Sequence, residues 1–485
     1  MLTTLAFRQL FVKKGRSLFL LLGYGLGVGV MIVLLSVGEA MVQQSRDVSL
    51  VGGGELTVLP QGIDVEAMRT GGVSGMFFSI GRARFLTRQL LGGARHAGMV
   101  RAVSPVIENK LIYLRHGATT VAARAGGEIP SRAAAVGAGL RVLAGAWRDG
   151  PEDSAWIAPT AEQLYNELDR FHLPSVADSS WAEWHYFNLT SGAGEWWYLT
   201  WLVGGEVPNG RWGGRLLVSH RRPDRTYQQY TATLPPDSVA LDTTRADLTL
   251  GSSSVRQRDG VYHLSARAVG PAGSFRAELE VRPDENRYFP PVDLKEGTYL
   301  SGYVVPMLSG RASGKICLDG TCRQVNAAPA YHDHNWGVWR DVTWDWGAAR
   351  GKELNLLYGA VYSPDDTLFT GPGGSPRVLV ALVDSLGVRQ ILRARRISYS
   401  GARRESGQHG VRSPAEFDFV AGREQDSVRV HARILDFQAT GQNPGGTDRR
   451  FLQMRGTFKL EGRISGAAIA DSGTGFFETY VGPER

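Results

Sequence analysis

The runs YHLSARAV (Tyr262–Val269) and FRAELEVRP (Phe275–Pro283) decide the fold. In each, apolar and polar residues alternate, so an extended strand has one greasy face and one wet face. Gly and Pro, the residues that turn a chain, stand between them. The same pattern recurs outward in both directions: GRLLVSH (Gly214–His220), YTATLP (Tyr230–Pro235), SVRVHARILDF (Ser427–Phe437) and GTFKLEGRI (Gly456–Ile464). Short alternating strands at regular spacing predict an all-β sandwich or barrel. The pattern starts near Asp178 and occupies about 300 residues, too many for one small barrel, so two are expected. No period of about 20–50 residues repeats, which argues against a propeller.

Composition narrows the classes. The chain has 485 residues, 43% hydrophobic and 21% charged, which excludes a disordered, collagenous or coiled-coil protein. Its 61 glycines favour turns and short strands over long bundles. Two cysteines exclude a disulfide scaffold and a four-thiolate zinc module. The mean hydropathy of −0.17 excludes a polytopic membrane protein. Residues 1–150 carry 17 Lys/Arg against 8 Asp/Glu, a balance of +9 within the total of +7, so the rest of the chain is close to neutral at −2. A nucleic-acid binder would carry its basic clusters on the folded body, so nucleic acid is not an expected partner.

Ser17–Gly38 (SLFLLLGYGLGVGVMIVLLSVG) carries no charge and, as a helix, spans roughly 33 Å, enough for a bilayer core of about 30 Å. Arg8, Lys13, Lys14 and Arg16 precede it. The positive-inside rule then predicts a single-pass inner-membrane anchor with the bulk of the chain periplasmic. A cleaved signal peptide is the alternative, but the apolar run exceeds the usual 7–15 residues. The N-terminal stretch LAFRQLFVKKGRSLFLLLGYGLGVGVMIVLLSVGEAM resembles the first membrane segment of FtsX-like or MacB-like ABC-transporter permeases. GGGELTVLPQG (Gly52–Gly62), VRAVSPVIENKLIYL (Val100–Leu114) and VLAGAWRDGPEDSAWIAPTAEQL (Val142–Leu164) resemble the strands and late helix of their small extracytoplasmic domain. The further membrane helices of a permease are missing. The resemblance therefore implies association with ABC permease or ATPase subunits, and no transport path in this chain.

All 12 tryptophans lie between Trp147 and Trp346. They read either as barrel core or as an aromatic pocket for a greasy, unsaturated or cationic ligand. The richest string is AYHDHNWGVWRDVTWDW (Ala330–Trp346). Strand alternation puts Tyr331, Asp333 and Asn335 on one face, and His332, His334 and Trp336 on the other. A carboxyl group among aromatic rings is poorly solvated, which keeps its proton on near neutral pH. Asp333 beside a phenol is thus a candidate acid, the plainer alternative being a turn carboxylate bonded to backbone.

Three separated pieces resemble the carotenoid 1,2-hydratase (hydroxyneurosporene synthase, CrtC) and AttH-like family. They are EWHYFN with EWWYLTW (Glu183–Asn188, Glu195–Trp201), YHDHNWG with WDW (Tyr331–Gly337, Trp344–Trp346), and GTGFFETYVG (Gly473–Gly482). The resemblance covers about 178–485 and implies two consecutive lipocalin-like β-barrel domains. It implies Asp333 as the acid that protonates an alkene, with Tyr331 beside it. His334, Trp336, Trp184, Trp196, Trp344 and Trp346 are then expected to contact substrate. The hydratases carry a His-x-Trp pair upstream; the corresponding Ser301–Pro306 (SGYVVP) has neither residue, which favours the broader AttH-like group.

The expected fold is mainly β: a transmembrane helix (1–42), a small α+β extracytoplasmic domain (43–170), and barrels at 178–320 and 321–485, with the D-H-x-W-G motif in the second. Cys317 and Cys322 flank Asp319-Gly320, a strong type I′ hairpin turn, and are expected to face each other closely enough for a disulfide. His332 and His334 project from one strand face, but no third ligand is identifiable, so no metal is expected. Two functions remain. One is an enzyme that hydrates a C=C bond of a hydrophobic polyene or isoprenoid by acid catalysis, without a cofactor. The other is a lipid carrier tethered to the membrane and serving an ABC exporter.

Overall fold

The computed structural model describes residues 14–46, 56, 58, 80–117, 119–136, 148–153, 156, 160–174, 176–191, 194–296, 299–340, 342–362, 378–404, 411–442 and 450–481. Among the described residues the α-helices are α1 (Lys14–Arg46), α2 (Ile80–Gly92), α3 (Pro130–Ala135) and α4 (Ala161–Asp169). The chain divides into two compact units, Met1–Phe78 with Val100–Asp153, and Ser79–Met99 with Ser154–Arg485.

The first unit holds α1, α3 and an antiparallel hairpin, β1 (Val106–His116) with β2 (Thr119–Glu128). Among the described residues no helix is long and apolar enough to cross a membrane. Helix α1 is continuous over 33 residues. Most of the Gly52–Gly62 strand, and 142–147 of the stretch leading into the late helix, lie outside the described residues.

The second unit contains two closed antiparallel barrels. The first uses β3 (Trp181–Ser191), β4 (Glu195–Glu206), β5 (Arg211–Arg221), β6 (Tyr227–Leu234), then β7 (Val239–Leu241), β8 (Asp247–Leu250), β9 (Ser253–Arg258), β10 (Val261–Gly270), β11 (Gly273–Pro283), β12 (Phe289–Glu296), β13 (Tyr299–Leu318) and β14 (Thr321–Val338). Eight of these close the wall in the order β11-β13-β14-β3-β4-β5-β6-β10, with β10 returning to β11. Strands β7–β9 and β12 hang from its edges. The second barrel uses β15 (Thr343–Arg350), β16 (Asn355–Tyr362), β17 (Val378–Asp384), β18 (Gly387–Ala394), β19 (Ser398–Arg404), β20 (Arg412–Arg423), β21 (Asp426–Gln442), β22 (Arg450–Ile464) and β23 (Ala467–Val481). It closes in the order β18-β17-β16-β15-β23-β22-β21-β20, with β20 returning to β18.

The deciding runs behave as their alternation requires. In β10, Tyr262, Leu264, Ala266 and Ala268 are buried while His263, Arg267 and Val269 are exposed; in β11, Phe275, Ala277, Leu279 and Val281 are buried. These inward residues join Phe187, Trp197, Trp201 and Leu216 in a core that fills the first barrel. A second core around Tyr358, Phe417, Phe458 and Phe477 fills the other. Between the barrels lies a third cluster, and there alternation of burial stops. In β14, Ala330–His334 are all buried, as are His185–Leu189 in β3 and Glu195–Leu199 in β4. One face of these strands packs into the first barrel and the other against the second, as in sheets covered on both sides.

Two boundaries need correction. The hairpin of β13 and β14 is one register-matched pair from Leu318↔Thr321 to Ser301↔Gly337, and β14 continues onto β3 from Ala330↔Leu189 to Val338↔Trp181. Residues 321–338, and with them D-H-x-W-G, are therefore wall of the first barrel, and the second starts at Thr343. Helix α4, expected within the 43–170 domain, belongs to the barrel unit, because its Tyr165 packs in the first barrel core. The cysteine expectation holds: Asp319 and Gly320 take positive φ of 47° and 79°, and Cys317 and Cys322 form a disulfide with Cα atoms 3.9 Å apart.

Candidate functional site

Strand β14 carries chemistry on both faces. From Tyr331 to Asn335 its odd-numbered residues face the second barrel. There the Tyr331 hydroxyl donates to Asp333 Oδ2 at 2.8 Å, and Asn335 Nδ2 donates to Asp333 Oδ1 at 2.7 Å. Trp346 Nε1–H donates to the Tyr331 oxygen at 3.1 Å. Across the seam, Trp344 Nε1–H donates to Glu478 Oε2 at 3.1 Å, and Gln453 Nε2 lies 3.4 Å from Glu478 Oε1. Aromatic rings enclose these groups: Tyr331 and Phe476 have centroids 4.7 Å apart, Tyr186 and Tyr198 5.6 Å, Tyr303 and Trp346 4.9 Å.

This environment sets the proton affinities. Asp333 is 3% exposed. Burial first, and then the negative charge of Glu478, push its carboxyl well above the usual range, although Tyr331 and Asn335 donate to it. Burial raises Glu478 to about 7. The Tyr331 phenol also stays protonated, raised by burial and by Asp333. The seam therefore holds carboxyl protons near neutral pH, the condition for a general acid.

Of the residues named from sequence, Tyr331, Asp333, Trp196, Trp184, Trp344 and Trp346 meet at this seam. Two do not. Trp336 stacks on His172 at 3.8 Å and packs with Tyr288, Val304 and Phe85. His334 lies inside the first barrel. Both are even-numbered residues of β14, so the pleat turns them away from Asp333.

On that inner face lies a buried cluster that the sequence did not disclose. Asp169, at the end of α4, is fully buried. His332 Nε2 is 2.8 Å from Asp169 Oδ2, and His334 Nδ1 is 2.9 Å from Asp169 Oδ1. His334 Nε2 is 2.8 Å from Glu183 Oε1, which also lies 3.1 Å from His172 Nδ1. His332 Nδ1–H donates to the Tyr186 carbonyl at 3.0 Å. Burial opposes charge on His334, yet its bonds to Asp169 and Glu183 raise it to about 9. Two triads bring ligand atoms within 4.8 Å of one another: Asp169, His185 and His334, and His172, Glu183 and His334. Asp169 stands 163 residues from His332, and no local motif links the two.

A cavity of about 540 Å³ opens where β3, β14 and β22 approach, lined by Thr190, Ser191, Gly194, Gln324–Pro329 and Arg455. Asp333 is not among its lining residues.

No family model matches the chain, and comparison with curated proteins returns no match. Solved structures similar to it include an AttH-like protein of Nitrosomonas europaea, 16% identical, covering 64% of this chain and 97% of that one with a TM-score of 0.44. Kievitone hydratase of Nectria haematococca is 12% identical, covering 64% and 91% with a TM-score of 0.42. CghA bound to Sch210972 is 12% identical, covering 67% and 98% with a TM-score of 0.41. Likeness at this level assigns neither family nor activity.

Proposed function

We propose that the chain binds a hydrophobic, unsaturated molecule of isoprenoid or lipid type at the seam between its barrels and hydrates a C=C bond there, with Asp333 as the proton donor. The observation that carries this reading is the Asp333 carboxyl, held by Tyr331 and Asn335 in a seam lined mainly by aromatic and aliphatic side chains. Asp333 gives its proton to one alkene carbon, and the other carbon becomes a cation. The faces of Trp346 and Phe476 steady that charge. Water adds its oxygen to the cation and returns a proton to Asp333, which restores the acid. Tyr331 holds Asp333 Oδ2 in place, and no cofactor enters the step.

We read α1 as a single membrane anchor that leaves the bulk of the chain periplasmic. Its uncharged run, the exposed Leu22, Leu26, Ile32 and Leu35, and the Cys317–Cys322 bridge support this. Association with an ABC exporter rests on the N-terminal resemblance alone.

A second reading, a non-catalytic lipid carrier, is favoured by one observation: the cavity at Arg455 leaves out Asp333. Mass spectrometry of molecules retained by the full chain in detergent, followed by incubation with acyclic polyenes, separates the two. Products heavier by one water, formed by the wild type and lost in Asp333→Asn, support the hydratase. Retained lipid with no conversion by either protein leaves the carrier.

A further inference from the structure

Helix α4 starts from a Thr160 capping box and ends by burying the Asp169 carboxylate inside the first barrel. A carboxylate is disfavoured there, because the C-terminal end of a helix is itself partly negative. Glu183 adds a second buried carboxylate close by. The site thus gathers negative charge and needs cations. His332 and His334 are bonded to these oxygens.

His185 is not. It is fully buried, and neither ring nitrogen has a hydrogen-bond partner. An imidazole always carries a lone pair or a proton on each nitrogen, so both being idle in a dry interior is costly. Its Nδ1 lies 3.5 Å from Asp169 Oδ1, beyond a good hydrogen bond, and its ring centroid is 4.2 Å from that of His334. Phe171 covers another side at 5.2 Å. One of its nitrogens lies within 4.8 Å of ligand atoms of both Asp169 and His334.

We propose that Asp169, His185 and His334 bind a divalent transition-metal ion of the zinc class, fastening α4 to the inner wall of the first barrel. Two imidazoles and a carboxylate suit zinc, whereas calcium and magnesium take oxygen ligands. On binding, the Nδ1 proton of His334 leaves to solvent and the metal takes its place. Nε2–H of His334 remains on Glu183, the orienting carboxylate that metal-bound histidines commonly have. The site lies on the face of β14 opposite Asp333, so it is independent of the hydration reading.

The test uses the full chain in detergent, stripped with a chelator and titrated with Zn²⁺ by calorimetry and with Co²⁺ by visible absorption. One equivalent of Zn²⁺ should bind, and Co²⁺ should show the ligand-field bands of a low-coordinate site. His185→Gln should weaken Zn²⁺ at least about 100-fold and Glu183→Gln about 10–100-fold. The exposed His263→Gln should change nothing. No binding by the wild type, or unchanged binding by His185→Gln, overturns the proposal. Because a buried substitution can unfold the chain, X-ray absorption at the zinc edge of the wild type gives a second arm. Imidazole nitrogens among the ligands support the site; oxygen ligands alone refute it.

Discussion

A carboxyl that accepts from a phenol and an amide would ordinarily stay ionised; at Asp333, burial and the charge of Glu478 outweigh both donors. Glu478 makes the sign testable. Burial raises it from 4.5 to about 7, so the folded state holds its proton more tightly than the unfolded chain. The stability this contributes is fully present below about pH 4.5 and is lost as pH rises towards about 7. The loss is worth roughly 3 kcal/mol. We expect urea melts to show the wild type losing stability over that window relative to Glu478→Gln, in which the neutral amide removes Glu478's share of the slope and leaves that of Asp333. Equal slopes would contradict the assignment. At this scale the sequence was half legible. Alternation paired Tyr331 with Asp333 correctly, whereas motif adjacency drew in His334 and Trp336, which the same alternation sends to the other face. Asp169 and Glu183 were invisible, because only the folded barrel brings them to the histidines.

Strands β10 and β11 could be read from sequence because only one of their faces is buried. Strand β14 could not be placed so simply, because both of its faces are covered and hydrophobic period no longer marks inside from outside. The Cys317–Cys322 hairpin looked like a natural division between barrels, yet it is the tip of one long hairpin within the first. Its disulfide closes a short loop and should contribute about 2 kcal/mol. Cys317→Ser with Cys322→Ser should lower the denaturation midpoint accordingly and leave ligand retention unchanged, since Cys322 stands eleven residues before Asp333 on β14, roughly 35 Å along an extended strand. A midpoint unaffected by the double change or by reductant would show that the bridge constrains nothing. Helix α4 is positioned by its capping box, in which Thr160 Oγ1 accepts from the Gln163 backbone N–H at 3.1 Å. Thr160→Ala should cost about 1 kcal/mol, read in the same melts.

The two barrels act as one body because their walls share a core. Tyr186, Trp196, Tyr198 and Tyr331 of the first meet Trp346, Leu357, Ala381 and Phe476 of the second. An ion pair between Arg221 and Asp436 joins them at the edge, and Arg221 Nη1 also donates to the Gly194 carbonyl. Arg221→Met removes that pair and leaves Asp436 bonded to the Phe437 backbone N–H. Hydrogen exchange should then quicken in β5 and β21 while the cores around Trp197 and Phe417 stay protected; unchanged exchange would mean that the seam holds by apolar contact alone. Both barrel interiors are filled by side chains, and so is the seam between them. The most direct measurement is incubation of the full-length chain with an acyclic polyene in ¹⁸O-labelled water, read by mass spectrometry. We predict one labelled oxygen per product with the wild type, and a rate at least about 100-fold lower for Asp333→Asn with ligand retention intact. Label incorporated equally by both proteins, or by neither, would contradict an acid role for Asp333.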